Sequence, residues 1–572
     1  MSVQNAEIAR LLARLADLLE IERQNPFRVR AYRNAARVIG GLSHPVADRV
    51  AAGEDLTRLP GIGEDLADRI IGIVKTGRFP LLDEVERRTP GTLSDLMKVP
   101  GLGPVRVRTL YRELGITGPE DLERALRTGA VRELRGFGEK TEAALRSALA
   151  HTGATPGRTL LAEAEALARP LTEWLAGCDG VLEVAVAGSF RRRRETVGDL
   201  DILVTCRRGA PVMDCFTAWE DVGEVVSKGR TRSTVLLRSG MQVDLRVVPQ
   251  VSYGAALQYF TGSRAHNIHV RRIAGQRELK INEYGVFRGR RRVAGRSEKE
   301  VYAALELPWI PPELREDAGE IEAASRGVLP RLIELADLRG DLHCHTRATD
   351  GQQGIEEMAR AAADHGHEYL AITDHSRRVS MAHGLDPDAL LAQVDEIDRI
   401  AETLPEIRLL KGIELDILED GSLDLPDRVL DRLDLAVCAV HYGLGLSRHR
   451  QTERILRAMD NPRYTILAHP RGRLIGEREP CDLDMERIMR GARERGVVLE
   501  VNAQPRRLDL SDSDCRMACE LDLALAIDTD AHSAAQLELL RFGVDQARRG
   551  WVEPARVINT LPADDLLARL RR

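Results

Sequence analysis

Two changes in the spacing of apolar positions divide the chain. From the N-terminus to about residue 150, apolar residues recur at helical intervals, as in MSVQNAEIARLLARLADLLE. This spacing predicts a run of amphipathic helices. Past about residue 180 the period shortens. Val184 to Val204 reads as an apolar strand, a Gly188-Ser189 turn, a basic run Arg191–Arg194 and a second apolar strand. Met241 to Pro249 alternates as a strand does, and Lys280 to Val286 reads as a strand and turn. The double proline in Trp309–Arg315 fits neither a helix interior nor a central strand. From Asp341 onward, short apolar runs end in polar residues, and each is followed by a helical stretch. Such repeated strand–helix units predict an α/β barrel, whose chemistry gathers at the C-terminal strand ends.

Within the helical part, Leu59-Pro60-Gly61-Ile62-Gly63 recurs as Val99-Pro100-Gly101-Leu102-Gly103 and, degraded, as Leu134-Arg135-Gly136-Phe137-Gly138. Copies about 35 to 40 residues apart mark a repeated supersecondary unit. The unit resembles the helix-hairpin-helix. Its glycines allow tight turns whose N–H groups open a helix and suit a phosphate. Gly61, Gly63, Gly101 and Gly103 are therefore expected to hold DNA backbone without reading sequence.

The middle part carries a different chemistry. Asp199 and Asp201, two apart on one strand, point to one face. Carboxylates that close repel unless a cation lies between them, and Mg²⁺ plays that role in phosphoryl transfer. The turn at Gly188 and Ser189 suits a phosphate, and Arg191 and Arg192 add charge. Asp244, among apolar neighbours on its own strand, supplies a third carboxylate. Three carboxylates on adjacent strands meet the needs of a two-metal nucleotidyl-transfer site.

These motifs, G-S-F-R-R, G-D-x-D, the distal Asp and Tyr259-Phe260-Thr261-Gly262-Ser263, resemble those of the family X DNA polymerases, the DNA polymerase beta group. The resemblance implies metal ligation by Asp199, Asp201 and Asp244. It implies triphosphate contacts from Gly188, Ser189, Arg192 and Gly198, and sugar contacts from Tyr259, Phe260 and Gly262. Asn267 falls at the base-contacting position. Arg193 and Arg264 depart from the pattern of eukaryotic members, which bears on nucleotide selectivity. Residues Asn25–Arg37 also resemble the family's N-terminal domain, with Arg28, Tyr32 and Arg33 at positions that grip a 5′-phosphate. Arg69 stands where lyase members carry a Schiff-base Lys, and Asp65 where they carry a phosphate-binding Lys. A guanidinium stays protonated and cannot act as an amine nucleophile, so no efficient deoxyribose-phosphate lyase activity is expected. Lys75 is the nearest substitute.

In the C-terminal part, most of the 14 histidines occur, many at strand ends. His343 and His345 stand two apart, and Asp350 follows in a loop. His375, Glu414, His441, His469 and Asn502 end successive apolar strands, and Asp530 and His532 close the last. Imidazole with carboxylate suits Mn²⁺, Zn²⁺ or Fe²⁺ rather than Ca²⁺, and so many ligands imply two or three ions. This part resembles the PHP domain, a family of metal-dependent phosphoesterases. The resemblance assigns His343, His345, Asp350, His375, Glu414, His441, His469, Asp530 and His532 as ligands, with Mn²⁺ or Zn²⁺ bound. It implies hydrolysis of phosphate esters, with Arg471 or Arg473 placed to hold a phosphate.

The totals change this picture little. A hydrophobic share of 43% and a charged share of 30% are ordinary for a globular protein. The net charge of −6 argues weakly against nucleic acid, yet Arg191–Arg194 and Arg288, Arg290, Arg291 and Arg292 form dense basic runs, and local field is what steers DNA. No apolar run has membrane-spanning length. The N-terminus is not a secretory signal. The 8 scattered cysteines suit a reducing cytosol, with no disulfide framework.

The expected fold is multidomain, α/β and α+β. Residues 1–80 form a helical domain with a helix-hairpin-helix, and 81–150 a second. A nucleotidyltransferase palm with a mixed sheet spans 151–250. Residues 251–315 complete the polymerase core and bind the nascent pair, 316–335 form a linker, and 336–572 a PHP-type (β/α) barrel. The expected function is templated filling of short gaps in base excision repair, with a 3′-to-5′ exonuclease or phosphoesterase in the PHP domain. The partners are gapped or nicked DNA with a 5′-phosphate and dNTPs. The expected state is a cytoplasmic, nucleoid-associated monomer. Competing readings remain: untemplated transfer, a hydrolase whose polymerase core is only a DNA-binding platform, or a structural DNA-end binder.

Overall fold

The computed structural model describes residues 5–40, 42, 46–59, 61–97, 99, 101–139, 141–142, 145–146, 158–207 and 211–570. The chain forms two compact units, Met1–Gly157 and Arg158–Arg572.

In the first unit, amphipathic helices bury one face each. Leu12, Leu15 and Leu19 of Asn5–Ile21 pack with Tyr32 and Ile39 of Pro26–Gly40 and with Ile70 and Ile73 of Glu64–Thr76. The three glycine repeats fold alike. Ile62, Leu102 and Phe137 each donate N–H to the carbonyl three residues back, at 3.1, 3.0 and 2.9 Å. Gly63 and Gly103 then cap helices Glu64–Thr76 and Pro104–Leu114 with φ/ψ of −91°/174° and −90°/174°. Gly61 and Gly101 adopt φ of +73° and +86°, which L side chains rarely take. Pro60 and Pro100 lie outside the described residues.

The second unit starts with β1 (Thr159–Leu160), β2 (Val181–Val186), β3 (Thr196–Val197), β4 (Asp199–Cys206), β5 (Val222–Lys228), β6 (Arg232–Leu237) and β7 (Gln242–Val247). Five of these form a mixed sheet in the order β2-β4-β7-β6-β5, in which only β4 and β7 run parallel. Helix Leu161–Ala176 packs on it through Leu171 and Leu175. Helices Tyr253–Thr261 and Arg264–Gln276 follow, then a small sheet of β8 (Lys280–Asn282), β9 (Gly285–Arg288) and β10 (Arg291–Ala294).

The stretch 316–335, expected as a linker, instead carries helix Glu320–Ser325, whose Ile321 and Ala324 join the core of the preceding region. The fully buried Glu320 explains this, since its carboxylate lies 2.6 Å from Nδ1 of the equally buried His266. A second departure concerns cysteine. Cys178 and Cys215 form a disulfide with a Cα–Cα distance of 6.3 Å, where no disulfide was expected. The indole of Trp174 donates to the Cys215 carbonyl at 3.1 Å, bringing together segments far apart in sequence.

The remaining strands are β11 (Gly340–Asp341), β12 (Tyr369–Ile372), β13 (Arg408–Lys411), β14 (Glu414–Asp416), β15 (Val437–Ala439), β16 (Ile466–Leu467), β17 (Val498–Asn502) and β18 (Leu525–Asp528). All pair in parallel, as β11-β12-β13 and as β14 through β18. Parallel bridges His375–Glu414 and Cys344–Ala531 join the two sheets, the second linking the first strand's continuation to the last. β12, β15, β17 and β18 are continuously buried, as parallel strands covered on both faces are. His343 and His345 lie just beyond β11, which is shorter than the run Asp341 to His345 suggests.

Candidate active sites

The palm sets three carboxylates on adjacent parallel strands and ties one of them, Asp244, to neighbouring side chains. β4 and β7 run in register, with Asp201 opposite Asp244 and Asp199 opposite Gln242. Asp201 faces the phosphate turn, since a Cβ at Gly188 would lie 2.8 Å from its Oδ2. Gly188, at φ +63°, starts the one-turn helix Gly188–Arg191 that also carries the half-buried Ser189. Gly198 is exposed directly before Asp199. Burial, then the charges of Asp199 and Asp244, raise the Asp201 carboxyl to about 6, and burial with Asp244 also raises Asp199. Asp244 behaves oppositely. Burial pushes it up, but bonds from Thr234 Oγ1 (2.6 Å), Arg232 (3.0 Å) and Gln242 (3.0 Å) more than offset this and leave it below the usual range. Among the described residues, the three carboxylates do not gather within 4.8 Å of one another.

Helix Tyr253–Thr261 delivers Tyr259 and Phe260, whose rings meet edge to face at 5.0 Å. Gly262 takes φ +70°, and a Cβ there would stand 3.1 Å from Arg192 Nη1. Asn267 is held by its neighbours, accepting from Gln258 at 2.9 Å and donating to the Tyr259 carbonyl at 2.7 Å. The basic run at 191–194 is not a free cationic face. Arg191 bonds Glu298 and Thr261, Arg192 bonds Glu316 and the Thr261 carbonyl, and Arg193 bonds Asp545. The second run, Arg288 to Arg292, lies exposed on the β9–β10 hairpin.

The parallel strands β11 to β18 gather the other constellation at their C-terminal ends. Three groups have ligand atoms within 4.8 Å of one another: His345, Asp350, His375 and His532; His343, His345 and Asp530; and His375, Glu414 and His441. Glu414 is shared, with His375 Nδ1 2.7 Å from its Oε2 and His441 and His469 3.2 and 2.9 Å from its Oε1. His469 thus joins the cluster through Glu414, outside the three groups. His469 and Asp530 adopt φ of 26° and 51°, strain of a kind that concentrates at functional sites.

Burial disfavours charge in this cluster and pushes His345 down to about 4, yet opposite charges outweigh it at Glu414 and His375. Against burial, His375, His441 and His343 hold Glu414 well below the carboxylate range, while Glu414 and Asp350 lift His375 to about 10. His375 Nδ1, His345 Nδ1 and Glu414 Oε2 are buried and complete no hydrogen bond. A set of soft and hard donors so placed fits divalent ions of the Mn²⁺ or Zn²⁺ kind.

Two carboxylates missed in the sequence orient these ligands. Glu500 Oε1 lies 2.6 Å from His343 Nδ1, and Asp416 Oδ1 lies 3.1 Å from His441 Nδ1. A signal existed: Glu500 interrupts an apolar strand as Asp244 does. The expected phosphate holders are a correction. Arg471 is locked bidentately on buried Asp514 at 2.7 and 2.6 Å, and Arg473 on Glu195 at 2.7 Å. Arg507, half-buried with its Nε 3.7 Å from Asp530 Oδ2, borders the cluster.

In the first unit, Arg28 is exposed, with its guanidinium 6.0 Å from the ring centroid of the buried Tyr32. Arg33 is tied to Asp17 at 2.8 Å and to Glu20. Arg69 is held on Asp65 by two bonds, at 3.0 and 2.9 Å.

Carboxylates beside a glycine phosphate turn, hairpin repeats and a histidine cluster at the ends of parallel strands define a nucleotidyltransferase of the DNA polymerase beta type joined to a PHP phosphoesterase. Family models match accordingly: a helix-hairpin-helix domain (residues 3–79), a SAM-like helix-hairpin-helix tandem (93–150), the DNA polymerase beta palm (161–236), the DNA polymerase beta thumb (256–316) and the PHP domain (341–469). The chain is 37% identical over 571 residues, 99% of either chain, to the DNA polymerase/3′-5′ exonuclease PolX of Bacillus subtilis (strain 168). It belongs to that family, the family X DNA polymerases that carry a PHP domain. A protein of Syntrophotalea carbinolica named a probable phosphatase is 30% identical over 231 residues, 38% of this chain and 90% of its own. Among the described residues, no helix is long and apolar enough to cross a membrane.

Proposed function

We propose that the chain is a templated DNA polymerase that fills short gaps during base excision repair, with a second, 3′-to-5′ exonuclease centre in its barrel. The observation that carries this reading is two charged constellations on one chain, each backed by the full-length likeness to PolX. We assign Asp199, Asp201 and Asp244 as ligands of Mg²⁺, and His343, His345, Asp350, His375, Glu414, His441, His469, Asp530 and His532 as ligands of Mn²⁺ or Zn²⁺. Bound there, such ions neutralise phosphate charge and make the attacking oxygen a better nucleophile. The chain's own groups do the remaining work. Gly188 lets the phosphate turn close on Asp201. Ser189, Arg192 and Gly198 receive the triphosphate, and Tyr259, Phe260 and Gly262 shape the sugar pocket, with Asn267 at the base. Asp244, held by Thr234, Arg232 and Gln242, would complete the carboxylate set that holds such ions. In the barrel, Glu500 and Asp416 fix the histidines, and Arg507 holds the phosphate being released.

The hairpin glycines Gly61, Gly63, Gly101 and Gly103, with exposed Arg28, hold the DNA backbone, and Arg28 and Tyr32 mark the 5′-phosphate side. The protein acts as a monomer in the cytoplasm, at the nucleoid. The test is incorporation on one-nucleotide-gapped DNA carrying each template base in turn. The reading requires the complementary dNTP to be added and Asp199→Ala to abolish addition. Addition that ignores the template would refute it.

A further inference from the structure

The helix Leu540–Arg549 belongs to the barrel region in sequence but seats on the phosphate turn of the palm. Its Phe542 lies in the palm's hydrophobic core. Its Asp545 pairs with Arg193 at 2.6 Å, and its Arg548 with Glu313 at 2.8 Å. Arg549 reaches furthest. One Nη1 donates both to the Arg192 carbonyl, at 2.9 Å, and to Glu316, at 3.3 Å, while Nη2 bonds Asp512. The same Glu316 oxygen accepts from Arg192 Nε at 3.1 Å. The Arg549 side chain is only 3% exposed. Arg192 is therefore gripped twice by one partner, at its backbone oxygen and through the carboxylate that its own guanidinium uses.

We infer that Arg549 is a positioning residue for the polymerase reaction: a side chain of the barrel region sets the pose of Arg192 and thereby the affinity for the incoming nucleoside triphosphate. This rests on the reading of Arg192 as a triphosphate contact. Without Arg549, Glu316 keeps Arg192 and Arg194 as its arginine partners, closes on Arg192 and competes with the triphosphate for it. The carbonyl of residue 192 also loses its donor, so the turn loosens. Both effects weaken nucleotide binding and leave the carboxylates of β4 and β7 in place.

The test uses the full chain on one-nucleotide-gapped DNA, measuring KM for the dNTP and kcat for wild type, Arg549→Met, Arg549→Lys and Arg192→Ala. Hydrolysis of a labelled 3′ end is measured on the same preparations. Arg549→Met is expected to raise KM about tenfold, the effect of one charge-assisted bond, with kcat and 3′-end hydrolysis near wild type. Arg549→Lys restores part of the loss. If Arg192→Ala raises KM and Arg549→Met does not, this inference falls alone. If Arg192→Ala leaves KM unchanged, the reading of Arg192 falls and takes the inference with it. An equal loss of both activities in Arg549→Met makes the residue structural and overturns its positioning role.

Discussion

Single residues decide which arginines are free to meet a phosphate. Arg471 and Arg473 follow His469-Pro470 in sequence, but Asp514 and Glu195 claim them. No local pattern reveals this, because the claiming carboxylates lie far along the chain. Arg507 sits beside Asp530 instead, and Arg507→Ala is expected to slow 3′-end hydrolysis about 10- to 100-fold, the worth of a bond to a charged group, with primer extension unchanged. Equal loss of extension in a gel assay would sink that assignment. The absent lyase amine is also a residue-scale matter. Arg69 is both the wrong chemistry and tied to Asp65. Borohydride trapping on an incised abasic site is expected to give no adduct that depends on residue 69. The clustering of the histidines, by contrast, was readable from sequence, because the C-terminal ends of successive parallel strands lie on one side of a sheet. Their orienting partners differ: Glu500 interrupts the apolar strand β17, a signal of the kind Asp244 gives, whereas Asp416 ends β14 two residues past Glu414.

Elements join through buried ion pairs rather than through apolar contact alone. Arg191 reaches from the palm turn to Glu298, which also takes Arg315 at 2.6 Å from a fully buried side chain. Burial raises the Glu298 carboxyl, but Arg191 and Arg315 outweigh it and hold it near 2, against an ordinary value of 4.5. A depressed folded-state pKa contributes stability that is present above 4.5 and is lost as pH falls toward about 2. Thermal unfolding should therefore show wild type above Glu298→Gln at neutral pH, with the gap closing on acidification below 4.5. A gap that widens on acidification would contradict this pairing. In sequence, the run Arg191 to Arg194 shows its charge and hides its partners Glu298, Glu316 and Asp545. Strands and hairpins were more legible. The period of β4 and β7 and the glycine repeats are local, whereas the helix in 316–335 depends on the distant His266.

At the scale of the molecule, two compact units divide the work: hairpin repeats in one, both constellations in the other. An ion that binds only the folded state stabilises by about 2.7 kcal/mol at a hundredfold excess over its Kd. Replacing a chelator with Mn²⁺ should thus raise the unfolding transition of the unit Arg158–Arg572 and leave that of Met1–Gly157 unmoved. Calorimetry of the full chain reads this directly, and a shift of the first unit alone would contradict it. The division was visible in the sequence as a change of apolar period. The docking of helix Leu540–Arg549 on the palm was not, because its contacts are with residues more than 200 positions away.

The central claim is two independent active centres on one chain. The measurement that tests it most directly follows one 5′-labelled primer on gapped DNA, in Mg²⁺ and in Mn²⁺, with Asp199→Ala and His343→Ala variants. The account predicts that Asp199→Ala loses templated extension and keeps 3′-end shortening, and that His343→Ala does the reverse. A wild-type chain that only shortens the primer, or one substitution that removes both products, would contradict it.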